Sequence, residues 1–287
     1  MLHKSRHAIK TVDIPYWHTR SEDGVVLPAF LDQDKIVDIR QRKIQTEDVF
    51  VASFPKSGST WMKSMLMDLL KAEVPMYSAY PTPYIDSLKS PRIFKEHLPL
   101  HLLPDDVRKC KVIYLVRNPK DVVVSFQHHM TLFKIDEYSE DLNAMVNLFC
   151  TGKTQFGDWC SSIRDWCFQD QVPSLHIVTY EDLTRDCFTT MKSVLKFLDQ
   201  DISDDLVREV VENSKFSQMK KRDLNYVPGC PSFLGKSAMR DDKKHFLREG
   251  KVGTWKKHLT VENDEKVDQY LRADMELFLK IKELNIL

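Results

Sequence analysis

The residues best suited to holding an anion run Phe54-Pro55-Lys56-Ser57-Gly58-Ser59-Thr60-Trp61. A glycine-bearing turn that feeds a helix presents unpaired backbone N–H groups and the positive end of the helix dipole. Ser57, Ser59 and Thr60 add hydroxyl donors, and Lys56 adds a full positive charge. The bland alternative is an ordinary strand-to-helix turn with a capping serine. A Walker loop needs G-x-x-x-x-G-K-[ST]; here the lysine precedes the only glycine of the turn, so a magnesium–nucleotide reading lacks its characteristic residue. The segment points to a phosphate-like anion without Walker chemistry.

Two further segments carry arginine into turns. Arg117-Asn118-Pro119-Lys120-Asp121 follows an apolar run and opens a helix with Ser125 two turns in. An arginine at the end of a buried strand is costly unless it meets an anion. The alternative is a surface arginine paired to Asp121. Arg248-Glu249-Gly250-Lys251-Val252-Gly253-Thr254-Trp255 sets two of the eight glycines beside an arginine. Alone it reads as an exposed polar loop; beside the other two turns it reads as a second anion grip.

The elements that must position these turns are legible as strand-then-helix units. Asp48–Phe54 is mostly apolar and β-branched, and Met62, Met65, Leu66 and Leu69 after it recur at helical spacing. Lys111–Val116 is a second strand, leading into Asn118 as N-cap and Pro119 at the first helical position. Ser174–Tyr180 is a third, followed by a helix with the stripe Met191, Val194, Leu195 and Leu198. Such alternation predicts an α/β fold, a three-layer α/β/α arrangement with a central parallel sheet, in one domain over 1–287. Ligands of such sheets bind past the carboxyl ends of the strands, where all three turns lie.

Composition bounds the function. Lys plus Arg and Asp plus Glu both count 42, so zero formal charge argues against a protein built to coat nucleic acid or anionic membrane. The densest apolar stretch, Val112–Val116, is strand-sized and far below a membrane span. The N-terminus has a basic start with no apolar segment behind it, which does not read as a secretory signal. The six cysteines show no C-x-x-C pair and no metal-like grouping, so Cys160 and Cys167 are expected as buried small residues in a reducing compartment. The expectation is a soluble cytoplasmic protein without a metal.

The three turns, in order and with the motifs between them, resemble the cytosolic sulfotransferases. The likeness runs through Pro55-Lys-Ser-Gly-x-Thr-Trp61, Pro91-Arg-x-x-Lys-x-His-Leu-Pro-Leu100 and Val116-Arg-Asn-Pro-Lys-Asp-Val-x-Val-Ser125. It continues through Gly157-x-Trp159, Tyr180-Glu-Asp-Leu183 and Met219-Lys-Lys221, and closes with Arg248-x-Gly-x-x-Gly-x-Trp-Lys256. The resemblance implies in-line transfer of a sulfuryl group from 3′-phosphoadenosine 5′-phosphosulfate to a hydroxyl or amine, leaving adenosine 3′,5′-bisphosphate, with no metal. It implies that Lys56 and the backbone of Ser57, Gly58, Ser59 and Thr60 hold the phosphosulfate and that Trp61 stacks on adenine. Tyr180, Ser214 and Phe216 look like adenine-side contacts. Arg117, Ser125, Arg248, Glu249 and Gly250 match the grip on the 3′-phosphate. His97 matches the general base, with Lys56, Lys95 and Ser125 completing the catalytic set; an imidazole of ordinary pKa about 6.5 suits removal of a hydroxyl proton near neutrality. The neighbouring His128 and His129 are read as structural.

Two departures stand out. Glu249 occupies a position where the family often has lysine, placing an acid near the 3′-phosphate unless it turns outward to Lys243, Lys244 or Lys251. Ser59 replaces a common threonine and keeps the hydroxyl. Tyr80, Tyr84, Phe133, Tyr138 and Phe233 are aromatic candidates for the acceptor pocket, consistent with a small apolar phenol, alcohol, steroid or amine. The segment Lys256–Glu265 is similar to one through which family members form homodimers; the alternative is a helix start capped by Thr260. A catalytically silent nucleotide-binding relative and a P-loop kinase are the competing readings. The intact Lys56, Lys95, His97 and Ser125 oppose the first, and insensitivity to EDTA would oppose the second.

Overall fold

The computed structural model describes residues 18–132, 141–168, 172–223 and 248–287. Strands β1 (His18–Arg20) and β2 (Val26–Pro28) pair antiparallel and lead into α1 (Gln33–Arg40). The central sheet holds four parallel strands, β3 (Val49–Ser53), β4 (Ile93–Glu96), β5 (Lys111–Val116) and β6 (Leu175–Thr179), in spatial order β4-β3-β5-β6. α2 (Ser59–Leu70) follows β3, and α3 (Thr82–Ser87) precedes β4. α4 (Pro119–Leu132), α5 (Leu142–Cys150) and α6 (Trp159–Ile163) come between β5 and β6. After β6 come α7 (Tyr180–Arg185), α8 (Cys187–Phe197), α9 (Asp204–Asn213) and α10 (Phe216–Asp223). α11 (Val261–Arg272) and α12 (Met275–Glu283) close the chain.

Side chains alternate across a strand, so each buried strand feeds two cores. Val49, Val51, Ile93, Ile113 and Leu115 pack with Met62, Met65, Leu66 and Leu69 of α2 and with Met191, Val194 and Leu195 of α8. Phe50, Phe94, Val112 and Tyr114 face the other way, toward α4, α5 and the C-terminal helices. Both expected helical stripes are therefore buried, and the three-layer reading holds. Phe50, Tyr77 and Phe94 form an aromatic knot with ring centroids 5.1–5.4 Å apart. Each fully buried side chain of this size contributes roughly 1.5–3 kcal/mol.

The strand β4 has no counterpart among the strands expected from the sequence. Its residues Ile-Phe-Lys-Glu place two charged side chains at buried positions, which hides it from an apolar-run criterion. The start of this edge is held by Arg92, whose guanidinium meets Asp48 twice, at 2.5 and 2.8 Å, with both side chains buried. Asn118 caps α4 as expected, accepting from the Lys120 amide at 2.9 Å. Thr260 caps α11, and Val261 beside it is 74% exposed. Cys160 and Cys167 are unpaired thiols, and among the described residues no helix is long and apolar enough to cross a membrane.

Candidate active site

Two parallel strands end side by side, and the site grows from their carboxyl ends. β3 runs into the turn 54–58, where Lys56 and Gly58 take positive φ values of 71° and 105°. A Cβ on Gly58 would lie 2.8 Å from the Tyr180 ring, so this position needs both the conformation and the small volume of glycine. The turn delivers the chain into α2 with the amides of Ser57, Gly58, Ser59 and Thr60 donating to no acceptor among the described residues. The Ser57 hydroxyl is likewise buried without a partner. Consecutive unsatisfied donors at a helix start, beside a buried orphaned hydroxyl, suit an anion.

β4 ends beside β3, and Glu96 shapes its exit. The buried Glu96 carboxylate accepts from the amides of His97 and Leu98 at 2.6 and 2.8 Å, and from the amide and hydroxyl of Ser78 at 2.8 and 3.0 Å. That turn aims the His97 ring at the end of β3, where Nδ1 lies 2.8 Å from the carbonyl oxygen of Ser53. A carbonyl only accepts, so Nδ1 carries the hydrogen and Nε2 keeps its lone pair. Burial, then the charge of Lys95, hold the imidazole neutral well below its ordinary pKa. Lys95 itself is 5% exposed, and burial followed by the charge of Lys63 pushes its ammonium down to about 8.

Arg117, at the end of β5, does not pair with Asp121. Its guanidinium lies 4.1 Å from the Tyr180 ring centroid and donates to the carbonyls of Lys56 at 3.1 Å and Lys251 at 3.2 Å. Its Nε is buried without a partner. Asp121 instead takes the amides of Gly253 and Trp255 at 2.6 and 3.0 Å and the Thr254 hydroxyl at 3.0 Å. All three sequence-predicted turns therefore meet: Arg117 ties the first to the third, and Asp121 ties the second to the third. Arg248 donates to Thr254 Oγ1 at 2.6 Å and to Glu249 at 2.5 Å. Glu249 does not turn to Lys251; it lies against Arg248 and His258, while Lys243 and Lys244 fall outside the described residues. Burial alone would raise the Glu249 carboxyl; Arg248 and His258 overcome this and hold it below the usual range.

An aromatic wall joins these turns. Trp61 lies edge-on to Tyr180 at 6.0 Å and donates from Nε1 to the Ser214 hydroxyl at 3.1 Å. Phe216 lies so close to Gly250 that a Cβ there would sit 2.1 Å from its ring. Ser125 is buried on α4.

Residues 46–279 match the family described as the sulfotransferase domain. The chain belongs to the sulfotransferase family. It is 31% identical to the amine sulfotransferase of Oryctolagus cuniculus over 253 residues, covering 82% of this chain and 83% of that one. It is 30% identical to a 3-beta-hydroxysteroid sulfotransferase of Cavia porcellus over 248 residues, 81% and 85% of the two chains. The mouse sulfotransferase SULT7A1 in complex with PAP has the same fold, with a TM-score of 0.78 at 23% identity over 90% of this chain and 95% of that one.

This sulfotransferase places two residues at the site that the sequence did not single out, Glu96 and Phe156, and a third, His129, beside them. Glu96 sits between Lys95 and His97 and organises the strand end, with no signal beyond its place in the motif. Phe156 packs edge-on against His97 with centroids 5.5 Å apart, and only the neighbouring Gly157 hinted at a special turn. His129, read from sequence as structural, lies within electrostatic reach of Lys56, Lys95 and His97; burial first, then those charges, keep it neutral. Of the aromatic acceptor-pocket candidates, Tyr80 and Tyr84 stack on one another at 4.6 Å, and the Tyr84 hydroxyl donates to Glu73 at 2.6 Å. Phe133, Tyr138 and Phe233 lie outside the described residues.

Proposed function

We propose that this sulfotransferase, acting as one domain, uses 3′-phosphoadenosine 5′-phosphosulfate to sulfate a hydroxyl or amine of a small, largely apolar acceptor, with His97 as general base. The donor supplies the activated sulfuryl group. The unsatisfied amides of residues 57–60, the orphaned Ser57 hydroxyl and the nearby Lys56 fit its phosphosulfate end. Arg117 with its unpartnered Nε, Ser125 and the Arg248–Gly250 backbone fit its 3′-phosphate, and Trp61, Tyr180, Ser214 and Phe216 fit the adenine. Lys95 and Lys56 stabilise the negative charge that develops during transfer, as fixed cations in a water-poor site do. Acceptors named for relatives are steroids and amines, which matches the apolar Phe156 beside His97.

The observation that carries this reading is the contact of His97 Nδ1 with the Ser53 carbonyl at 2.8 Å. It leaves Nε2 as the nitrogen able to take the acceptor's proton, and burial, with the neighbouring cations, keeps it unprotonated before the reaction. The active form is neutral, and a lowered pKa preserves it as pH falls through 6.5. The acid limb of kcat/KM is therefore expected below pH 6.5. His97→Ala is expected to lower kcat by ~10²–10⁴-fold while leaving adenosine 3′,5′-bisphosphate affinity within twofold, measured with labelled donor and by calorimetry. A variant with near-wild-type kcat would remove His97 from the reaction.

A further inference from the structure

Lys63 lies one helical turn beyond Ser59, and the two side chains share the buried face of α2. It is 8% exposed and makes no hydrogen bond or ion pair among the described residues. A long side chain on a helix leans toward the N-terminus, which here is the turn with the unsatisfied amides. Lys95 reaches the same place from the sheet. Its register partner is Val51 and it alternates with Ile93, and both of these pack against α2. Lys95 also has no side-chain partner among the described residues. Two buried ammonium groups thus lie on the same side of the sheet, near enough for the charge of Lys63 to act on Lys95, and the Glu96 oxygens are spent on Ser78, His97 and Leu98. Buried charges persist only when paired or when a ligand pairs them.

We propose that Lys63 is a positioning residue of the transfer site, a second buried cation that acts through Lys95 and is neutralised only when the phosphosulfate end of the donor arrives. The proposal rests on the donor reading above. The pair supplies charge beyond that of Lys56, at the expense of stability in the unliganded protein. Lys95 is faced by Lys63 from α2 and by Glu96 from its own strand, and it acts in turn on His97 and on His129 of α4. The Lys63 ammonium is itself pushed below its ordinary pKa by burial. An arriving anion draws Lys95 back to the charged form, so donor binding near pH 8 takes up protons.

The test uses the full chain, adenosine 3′,5′-bisphosphate as probe, and the variants Lys63→Met and Lys63→Arg. Calorimetry at pH 8 in buffers of different ionisation enthalpy reads affinity and proton uptake together; thermal melting reads the unliganded protein. Lys63→Met is expected to weaken binding at least tenfold, reduce proton uptake and raise the unliganded melting temperature. Lys63→Arg is expected to restore affinity to within about threefold of wild type, since it returns the charge. A packing role for Lys63 predicts the opposite pattern, with lower melting temperature and unchanged proton uptake. Wild-type-like affinity and uptake in Lys63→Met overturn the proposal alone. Failure of the wild type to bind the bisphosphate overturns the donor reading and the proposal together.

Discussion

Replacing Glu249 with Gln removes a charge that competes for Arg248 while keeping the side chain's shape. The Arg248 Nη1 and Glu249 Oε1 atoms are 2.5 Å apart, with side chains 14% and 31% exposed. Unit charges with centres about 4 Å apart attract by roughly 4 kcal/mol at an effective dielectric of 20. Partial exposure, salt and the entropy of holding both side chains bring the net value to about 1 kcal/mol. A 3′-phosphate gripped by this loop must displace that contact and also face the carboxylate left behind, a like-charge cost of similar size. Removing both gains roughly 1–2 kcal/mol, or about 5–30-fold in affinity for adenosine 3′,5′-bisphosphate. The gain is expected in full near 20 mM salt and largely lost near 500 mM, where screening lengths fall to roughly 4–5 Å. Titration calorimetry of wild type and Glu249→Gln at the two ionic strengths measures it. Tighter product binding is expected to slow release, so kcat falls or stays level as affinity rises. Equal affinities at both ionic strengths would show that Glu249 does not oppose the ligand and that the loop acts through its backbone and Arg248 alone.

Gly250→Ala places a methyl group 2.1 Å from the Phe216 ring and strains a φ of +66°, so bisphosphate affinity is expected to fall more than tenfold while the melting temperature drops by only a few degrees. An unchanged affinity would place Phe216 away from the ligand. Arg92→Leu leaves the fully buried Asp48 without its cation and is expected to destabilise the fold by about 3–5 kcal/mol in denaturant titration, whereas Arg92→Leu combined with Asp48→Leu recovers part of the loss. Val261 is 74% exposed within the Lys256–Glu265 segment, and we propose that this segment forms a small two-fold dimer interface. Val261→Glu is then expected to yield monomers in sedimentation with activity largely kept, and a wild type that already sediments as a monomer refutes the interface.

The sequence alone determined the layers and the placing of the turns. Periodicity is a local property, so the β3, β5 and β6 strands and the stripes of α2 and α8 could be read from residue type and spacing. The anion-holding turn was legible for the same reason, since a glycine, hydroxyls and a lysine at a helix start announce their chemistry without neighbours. Only the tertiary structure decided what depends on register between distant segments. β4 is invisible to an apolar-run rule because its Lys95 and Glu96 are charged residues that only the packing of distant segments buries. The Nδ1 proton of His97 is set by a carbonyl 44 residues away, and Arg117 finds the Tyr180 ring rather than the nearby Asp121. Glu249 turns to Arg248 and His258 because backbone bonds to Asp121 hold 253–255 against α4 and bring His258 within reach. Lys63 looks like any helical lysine until the parallel pairing of Val51 with Lys95 sets a second cation against it. Charges separated along the chain interact only through the distances that folding imposes, and those distances are absent from the order of residues.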